Sequence, residues 1–224
     1  MFEDRREAGR RLAAEIARRN YAEPVVLALP RGGVPVAFEV AKALKAPLDL
    51  VMVRKLGVPF NPEVAAGAVV DGAAPDIVLN EDVVRRAGMT IDDIRAIAAR
   101  ELETIRRRRA LYLGGRSPVP VKGKTAIVVD DGVATGATAM AALRAVRDNG
   151  ARQVVLAVPV APPDVVRRLA GLADEVVVLS VPEPFHAVGA HYRVFDQTAD
   201  EEVIRLLDEA RRWAGDGEGG GERG

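Results

Sequence analysis

The sequence predicts an α/β fold with a doubly wound, mainly parallel sheet flanked by helices. Short runs of consecutive aliphatic residues alternate with longer segments whose apolar residues recur every three or four positions. Continuous aliphatic runs are typical of parallel strands covered on both faces, and the longer segments are typical of amphipathic helices. Because no unit repeats, we expect one domain over residues 1–214 and a disordered glycine-rich tail over 215–224.

The first part of the chain predicts a βαβ unit. An amphipathic helix over 4–20 precedes a strand at 25–29, a helix at 36–44 and a second strand at 48–53. The stretch 54–72 is rich in glycine, proline and small residues, which predicts a flexible loop or hairpin.

The remainder of the chain continues the alternation of helices and strands. The elements expected there, in order, are a helix at 90–113, a strand at 125–129, a helix at 136–149, a strand at 154–160, a helix near 163–172, a strand at 175–179 and a helix at 199–214. This order favours the doubly wound arrangement.

Composition excludes several kinds of chemistry. The 224 residues include 32 Lys and Arg, 32 Asp and Glu, two His and no Cys, so the formal net charge is zero. Without cysteine there is no disulfide, thiolate metal site or cysteine nucleophile. Neutrality argues against a broad nucleic-acid surface. The charged N-terminus and the lack of a long apolar stretch predict a cytoplasmic protein with no membrane partner.

The segment 126–138, AIVVDDGVATGAT, carries the strongest chemical signal. A buried strand would place Asp130 and Asp131 at its carboxyl end, before a small-residue loop that enters a helix. Such a loop lets the backbone N–H groups of residues 133–137 converge at the helix N-terminus, which favours a monophosphate. The two carboxylates would repel a phosphate, so we expect them to hold sugar hydroxyls or a hydrated divalent cation.

This segment resembles the phosphoribosyl-pyrophosphate (PRPP) motif of type I phosphoribosyltransferases, in which hydrophobic residues precede two acids and a small Thr-Gly loop. The resemblance implies the fold of that family, with a flexible loop and a small hood beside the sheet. It implies Mg²⁺ as cofactor and assigns Asp130 and Asp131 to catalysis, where they hold the metal indirectly through water or the ribose hydroxyls. The residues assigned to the 5′-phosphate loop are Gly132, Val133, Ala134, Thr135, Gly136, Ala137 and Thr138.

The loop after the first core strand reads Pro30, Arg31, Gly32, Gly33. In the family this loop holds pyrophosphate, and in a doubly wound sheet it would lie beside the aspartates at the topological switch point. Arg31 offers charge-assisted hydrogen bonds and the two glycines allow close backbone approach. A tight turn alone would also explain them. The resemblance implies a cis peptide in this loop, which we place at Arg31–Gly32.

Two further segments resemble parts of the family's site. Arg54 and Lys55 follow the second strand, and one of them would contact pyrophosphate; a solvated basic pair is the alternative. The segment 57–67, GVPFNPEVAAG, resembles the flexible catalytic loop. Glu63 is its only ionisable residue, so it is our candidate for moving a proton on the incoming nucleophile.

The segment 185–195 holds three aromatic residues and both histidines. We expect it to form the hood, with Phe185 and Tyr192 stacking on the acceptor; a packed turn over the sheet edge is the alternative. Ala134 stands where hypoxanthine–guanine members of the family carry an aspartate. The loop pattern DD-x-x-ATG-x-T is closer to that of adenine-type members.

These features predict a Mg²⁺-dependent pentosyltransferase of nucleotide metabolism that moves the 5-phosphoribosyl group of PRPP to a nucleobase-like acceptor, as in purine salvage, and releases pyrophosphate. We expect a homo-oligomer that does not bind nucleic acid. The run Arg106–Arg109 predicts a solvated helix face or a subunit contact, because four consecutive helical residues point in all directions. One alternative remains open, a non-catalytic regulator that senses PRPP or a nucleotide and binds RNA or DNA. A kinase similar to PRPP synthases shares the loop type, but the missing ATP cradle and the single-domain length argue against it.

Overall fold

Two sheets and seven α-helices organise the part of the chain that the structure describes. This computed structural model describes residues 1–71 and 76–214, apart from the side chains of residues 62, 63 and 214. The predicted tail at 215–224 lies outside the described residues. The elements are α1 (Arg5–Ala17), β1 (Pro24–Ala28), α2 (Gly33–Leu44), β2 (Leu48–Leu50), β3 (Val53–Val58), β4 (Asn61–Val70), β5 (Asp76–Leu79), α3 (Glu81–Arg86), α4 (Ile91–Leu113), β6 (Thr125–Val129), α5 (Ala137–Asp148), β7 (Gln153–Val160), α6 (Pro163–Leu169), β8 (Glu175–Ser180), a 3₁₀ turn (Val188–His191) and α7 (Asp200–Ala214).

The main sheet has five parallel strands in the order β2-β1-β6-β7-β8. Alternate residues of its central strands enter two separate apolar cores. One core joins the sheet to α1, α2, α4 and α7, and the other joins it to α5 and α6. Both faces are therefore covered, which confirms the predicted doubly wound class.

The long helix α4 shows why the sequence located some elements to within a residue. The Thr90 side chain accepts a hydrogen bond from the Asp93 N–H, and the Asp93 carboxylate accepts one from the Thr90 N–H at 2.8 Å. This capping box starts the helix. Gly114, at φ 58°, ends it in the left-handed conformation that favours glycine. Within the described ranges, no helix combines the length and the apolar character needed to cross a membrane.

The second sheet is antiparallel, with strands in the order β3-β4-β5. β3 and β4 form a hairpin that pairs Val53 with Val70 and Val58 with Asn61. The stretch expected to be a loop or hairpin is thus a hairpin. β5 and α3 were not predicted, because the apolar run at 77–79 has three residues and lies between Asp76 and Asn80.

Arg109 links the two sheets. Its guanidinium donates to both carboxylate oxygens of Asp49 in β2 at 2.8 and 2.9 Å, and to Asp71 at the end of β4 at 2.8 Å. The three side chains are only 12, 5 and 8% exposed, respectively. The prediction that the run Arg106–Arg109 is a solvated face or a subunit contact is therefore wrong for Arg109, which the two buried carboxylates hold inside the protein.

Candidate active site

Two loops meet at the carboxyl edge of the main sheet, one after β1 and the other after the neighbouring strand β6. After β1 the chain continues to β2 on one side, and after β6 it continues to β7 on the other side. A Cβ placed on Gly32 would lie 2.1 Å from Asp131 Oδ2, and one on Gly33 would lie 2.7 Å from the Val129 carbonyl oxygen. Only glycine fits at such distances. The predicted contact between the loop at 30–33 and the aspartates is confirmed.

The loop at 30–33 contains a cis peptide bond, but not where we placed it. The cis bond joins Pro30 to Arg31, so the prediction for Arg31–Gly32 is wrong. Gly32 already has helical dihedral angles, φ −59° and ψ −34°, as the N-cap of α2. The cis bond lies one residue earlier in the chain than expected.

The loop at 132–138 leads from the aspartates into α5. Gly136 is the N-cap of α5 and has φ 83°, a value that favours glycine. The N–H groups of the first helical turn have no acceptor within the helix, and the helix dipole adds positive potential at this end. The loop residues exposed here are Ala134, Thr135, Ala137 and Thr138.

Val133 does not have the role expected of it in this loop. Its N–H donates to the Val160 carbonyl oxygen at 2.9 Å, and its side chain is buried in the core. The Val133 N–H therefore does not belong to the predicted set of backbone amides that converge on a phosphate. The donation instead fixes the start of the loop to the end of β7.

Asp130 and Asp131 lie side by side, and the Asp131 N–H donates to Asp130 Oδ1 at 2.8 Å. Burial, reinforced by the charge of Asp131, raises the pKa of Asp130 well above its ordinary value. Burial also raises the pKa of Asp131, and a hydrogen bond from Arg5 opposes that rise. Carboxylates in this state favour partners that stabilise negative charge, such as hydroxyl groups or a cation.

Arg5 is the site residue that sequence reasoning missed. Its Nε donates to Asp131 Oδ2 at 2.7 Å, and the two side chains are 12 and 13% exposed. Arg5 is one of four arginines in the first eleven residues, with Arg6, Arg10 and Arg11. Nothing in the local sequence distinguishes it from the others.

The three predicted pyrophosphate-binding cations lie on two different elements. Arg31 follows β1, and its Nη1 is 3.4 Å from Asp200 Oδ1. Arg54 lies in β3, where its Nε donates to Glu101 Oε2 of α4 at 2.8 Å. Lys55 is the next residue of that strand and is exposed. Of these three cations, Arg31 is therefore the one in a loop after a strand of the main sheet.

The predicted hood segment lies beside the loop at 132–138. A cleft of about 540 Å³ is lined by loop residues Ala134 and Thr135 and by Phe185. The ring of Phe185 stacks on His191, with centroids 5.2 Å apart. Tyr192 is 5% exposed, and its hydroxyl donates to the Asp131 carbonyl oxygen. The ring of Tyr192 is therefore part of the protein interior, and Tyr192 is not among the residues that line the cleft.

The candidate base Glu63 belongs to β4 by its backbone, while its side chain lies outside the described residues. The described ranges contain no cluster of three or more His, Asp or Glu side chains arranged to hold a metal ion. The adjacent acids Asp130 and Asp131 nevertheless fit Mg²⁺, which usually takes one or two carboxylates, several waters and substrate phosphates.

Comparison with known proteins shows one family. The sequence model described as "Phosphoribosyl transferase domain" matches residues 2–177. Two curated Mycobacterium tuberculosis proteins, provisionally named phosphoribosyl transferases, are 52% identical over 212 residues, which cover 95% of this chain and 47% of theirs. The chain thus spans about half the length of these curated relatives.

Two other relatives extend the comparison. The crystal structure of TT1426 from Thermus thermophilus is similar with a TM-score of 0.82 and 47% identity, covering 93% of this chain and 98% of that one. A ribose-phosphate pyrophosphokinase from Nostoc is 46% identical over 68 residues, which are 29% of this chain and 21% of that protein.

Proposed function

Because the chain belongs to the phosphoribosyl transferase domain family, we propose that it transfers the 5-phosphoribosyl group of PRPP to a nucleobase-like acceptor. A bond forms between an acceptor nitrogen and the anomeric carbon, the bond from that carbon to pyrophosphate breaks, and the acceptor nitrogen loses a proton. The observation that carries the proposal is the contact of two loops, at 30–33 and 130–138, at one switch point.

Each part of the substrate has a matching group in this arrangement. The amides at the start of α5 and the exposed hydroxyls of Thr135 and Thr138 suit the 5′-phosphate. The carboxylates of Asp130 and Asp131 suit the ribose hydroxyls. The cis-containing loop and Arg31 suit the pyrophosphate, because a guanidinium donates charge-assisted hydrogen bonds to phosphate oxygens.

Asp130 and Asp131 would hold Mg²⁺ through water or the ribose hydroxyls. When bound, the metal supplies positive charge that stabilises the leaving pyrophosphate. The protein's own residues keep the ribose and pyrophosphate aligned, and closure of the hairpin segment 57–67 would exclude water. Glu63 would accept the proton that the acceptor nitrogen loses.

The acceptor would lie in the cleft beside Ala134, where Phe185 provides an aromatic face. The adenine-type loop pattern supports a purine as the acceptor, and hence a role in purine salvage. Because Tyr192 is buried, we assign it a supporting role, in which its hydroxyl holds the Asp131 carbonyl.

The test is pyrophosphate release from Mg·PRPP in the presence of each of a panel of purines, pyrimidines and amines. Wild-type protein should release pyrophosphate with at least one acceptor. Asp131→Asn should lose activity by about two orders of magnitude or more, since it removes the negative charge of a carboxylate beside the reacting ribose. Asp208 is a surface carboxylate that pairs with Arg116, so Asp208→Asn is the matched control and should retain activity. PRPP binding without any release, together with salt-sensitive binding of RNA or DNA, would contradict the enzyme and favour the regulator.

A further inference from the structure

Asp131 is held at both ends by residues from opposite ends of the chain. Its carboxylate accepts from Arg5 Nε, and its carbonyl oxygen accepts from the Tyr192 hydroxyl. The guanidinium carbon of Arg5 lies 3.9 Å from the centroid of the Phe195 ring, whose own centroid is 5.0 Å from that of Tyr192. Arg5, Tyr192 and Phe195 therefore form a closed set of contacts around one aspartate, which we call the Asp131 clamp.

Arg5 is fixed by more than its ion pair. Its Nη1 donates to the Asp196 carbonyl oxygen at 2.6 Å while Nε contacts Asp131. The planar guanidinium makes both bonds at once and stacks on an aromatic ring, a combination that lysine does not reproduce. The direction of the Asp131 carboxylate is consequently set by a rigid group.

The N-terminal segment has anchors besides this arginine. The Phe2 N–H donates to the His191 carbonyl at 2.8 Å, and the Arg193 N–H donates to the Phe2 carbonyl at 2.8 Å. Asp4 caps α1 by accepting from the Glu7 N–H at 2.7 Å. Truncating Arg5 therefore releases the carboxylate while the helix start keeps its other contacts.

We infer that Arg5 is a positioning residue, which orients the Asp131 carboxylate toward the ribose hydroxyls of the substrate. The inference rests on the proposed function, because it needs a ribose phosphate in this site. Arg5 Nε holds Oδ2 of Asp131, the same oxygen that a Cβ on Gly32 would meet at 2.1 Å, so this side of the carboxylate already has its partners. A ligand with ribose hydroxyls depends on that orientation, whereas inorganic phosphate at the start of α5 does not.

Calorimetric titration of wild type, Arg5→Gln and Arg5→Lys with ribose 5-phosphate and with inorganic phosphate separates these roles. Arg5→Gln should lower the affinity for ribose 5-phosphate by about tenfold or more, which corresponds to the loss of one charge-assisted hydrogen bond. The affinity for inorganic phosphate should change by less than about twofold. Arg5→Lys should recover part of the loss. The matched control is Arg11→Gln, because Arg11 pairs with Glu7 at 3.6 Å and lies over Phe2 at 4.8 Å, on the same helix but away from Asp131.

Equal weakening of both ligands, or full recovery in Arg5→Lys, would overturn the positioning role. If Arg5→Gln does not fold, Tyr192→Phe tests the other end of the clamp and should give the same selective loss to a smaller degree. Wild-type protein that binds phosphate but shows no preference for ribose 5-phosphate would refute the proposed function itself. If the wild type prefers ribose 5-phosphate over inorganic phosphate and Arg5→Gln retains that preference, only the positioning role of Arg5 would be refuted.

Discussion

Replacing Arg109 by methionine should destabilise the protein strongly although the residue sits in a run of four arginines. The side chain makes three hydrogen bonds to the carboxylates of Asp49 and Asp71 and a fourth, at 3.2 Å, to the Leu50 carbonyl. Methionine fills a similar volume but leaves two buried carboxylates without their counter-ion.

The size of the effect follows from the burial of the cluster. Removing one partner of a buried ion pair costs about 3–5 kcal/mol, because the remaining charge is left uncompensated. All three side chains are at most 12% exposed, so water screens them little. In a chain of this length 1 kcal/mol corresponds to about 2–4 °C in Tm. Arg109→Met should therefore lower Tm by about 6–20 °C, at the limits of these ranges.

Thermal unfolding followed by circular dichroism, with urea denaturation at 25 °C, measures this effect. The control is Arg107→Met, two residues away on an exposed part of the same helix, which should stay within about 0.5 kcal/mol of wild type. If the two variants differed by less than about 1 kcal/mol, the buried link between the sheets would not have the strength argued for it.

Three further outcomes are expected. Gly33→Ala should cost about 1–3 kcal/mol in urea denaturation, because its Cβ would meet the Val129 carbonyl oxygen at 2.7 Å; unchanged stability would contradict this contact. Phe185→Ala should raise the KM of the acceptor about two- to tenfold, and an equal rise for PRPP would argue against a stacking role. The hydrogen bond from the Val154 N–H lowers the pKa of Asp174 below its ordinary 3.8, so this carboxylate stabilises the fold above that pH and stops doing so as pH falls through its folded pKa. The difference in unfolding free energy between wild type and Asp174→Asn should be constant above about pH 5 and shrink as pH falls below about pH 4, and a difference that stays constant there would refute the linkage.

Local sequence contains most of what is needed to recognise the fold and the centre of the site. The strand at 125–129 and the glycines at 32–33 were predictable, because an aliphatic run and a pair of small residues limit the backbone directly. The helix at 90–113 was located for the same reason, since its caps lie within four residues of its ends.

The partners of charged residues were not predictable in this way. Arg5 lies 126 positions from Asp131, and Arg109 lies 60 positions from Asp49. Neither arginine differs from its neighbours in sequence, so only the packing of distant elements decides which one is buried. Val133 illustrates the same limit for the backbone, because its N–H is taken by β7, a strand that follows in the chain.

Because Arg31 already pairs with Asp200, the proposed binding of a phosphate group at Arg31 would be an exchange of partners. The phosphate would replace a carboxylate that is already present, so its net affinity would be a difference between two ion pairs. The resident pair is 3.4 Å long and its side chains are 31 and 41% exposed, and pairs of that kind contribute about 0–1 kcal/mol. The Arg54 pair with Glu101 is shorter, at 2.8 Å. Of these two arginines, Arg31 thus has the longer ion pair, and Asp200 at the start of α7 would keep the hydrogen bond that it accepts from the Tyr112 hydroxyl at 2.6 Å.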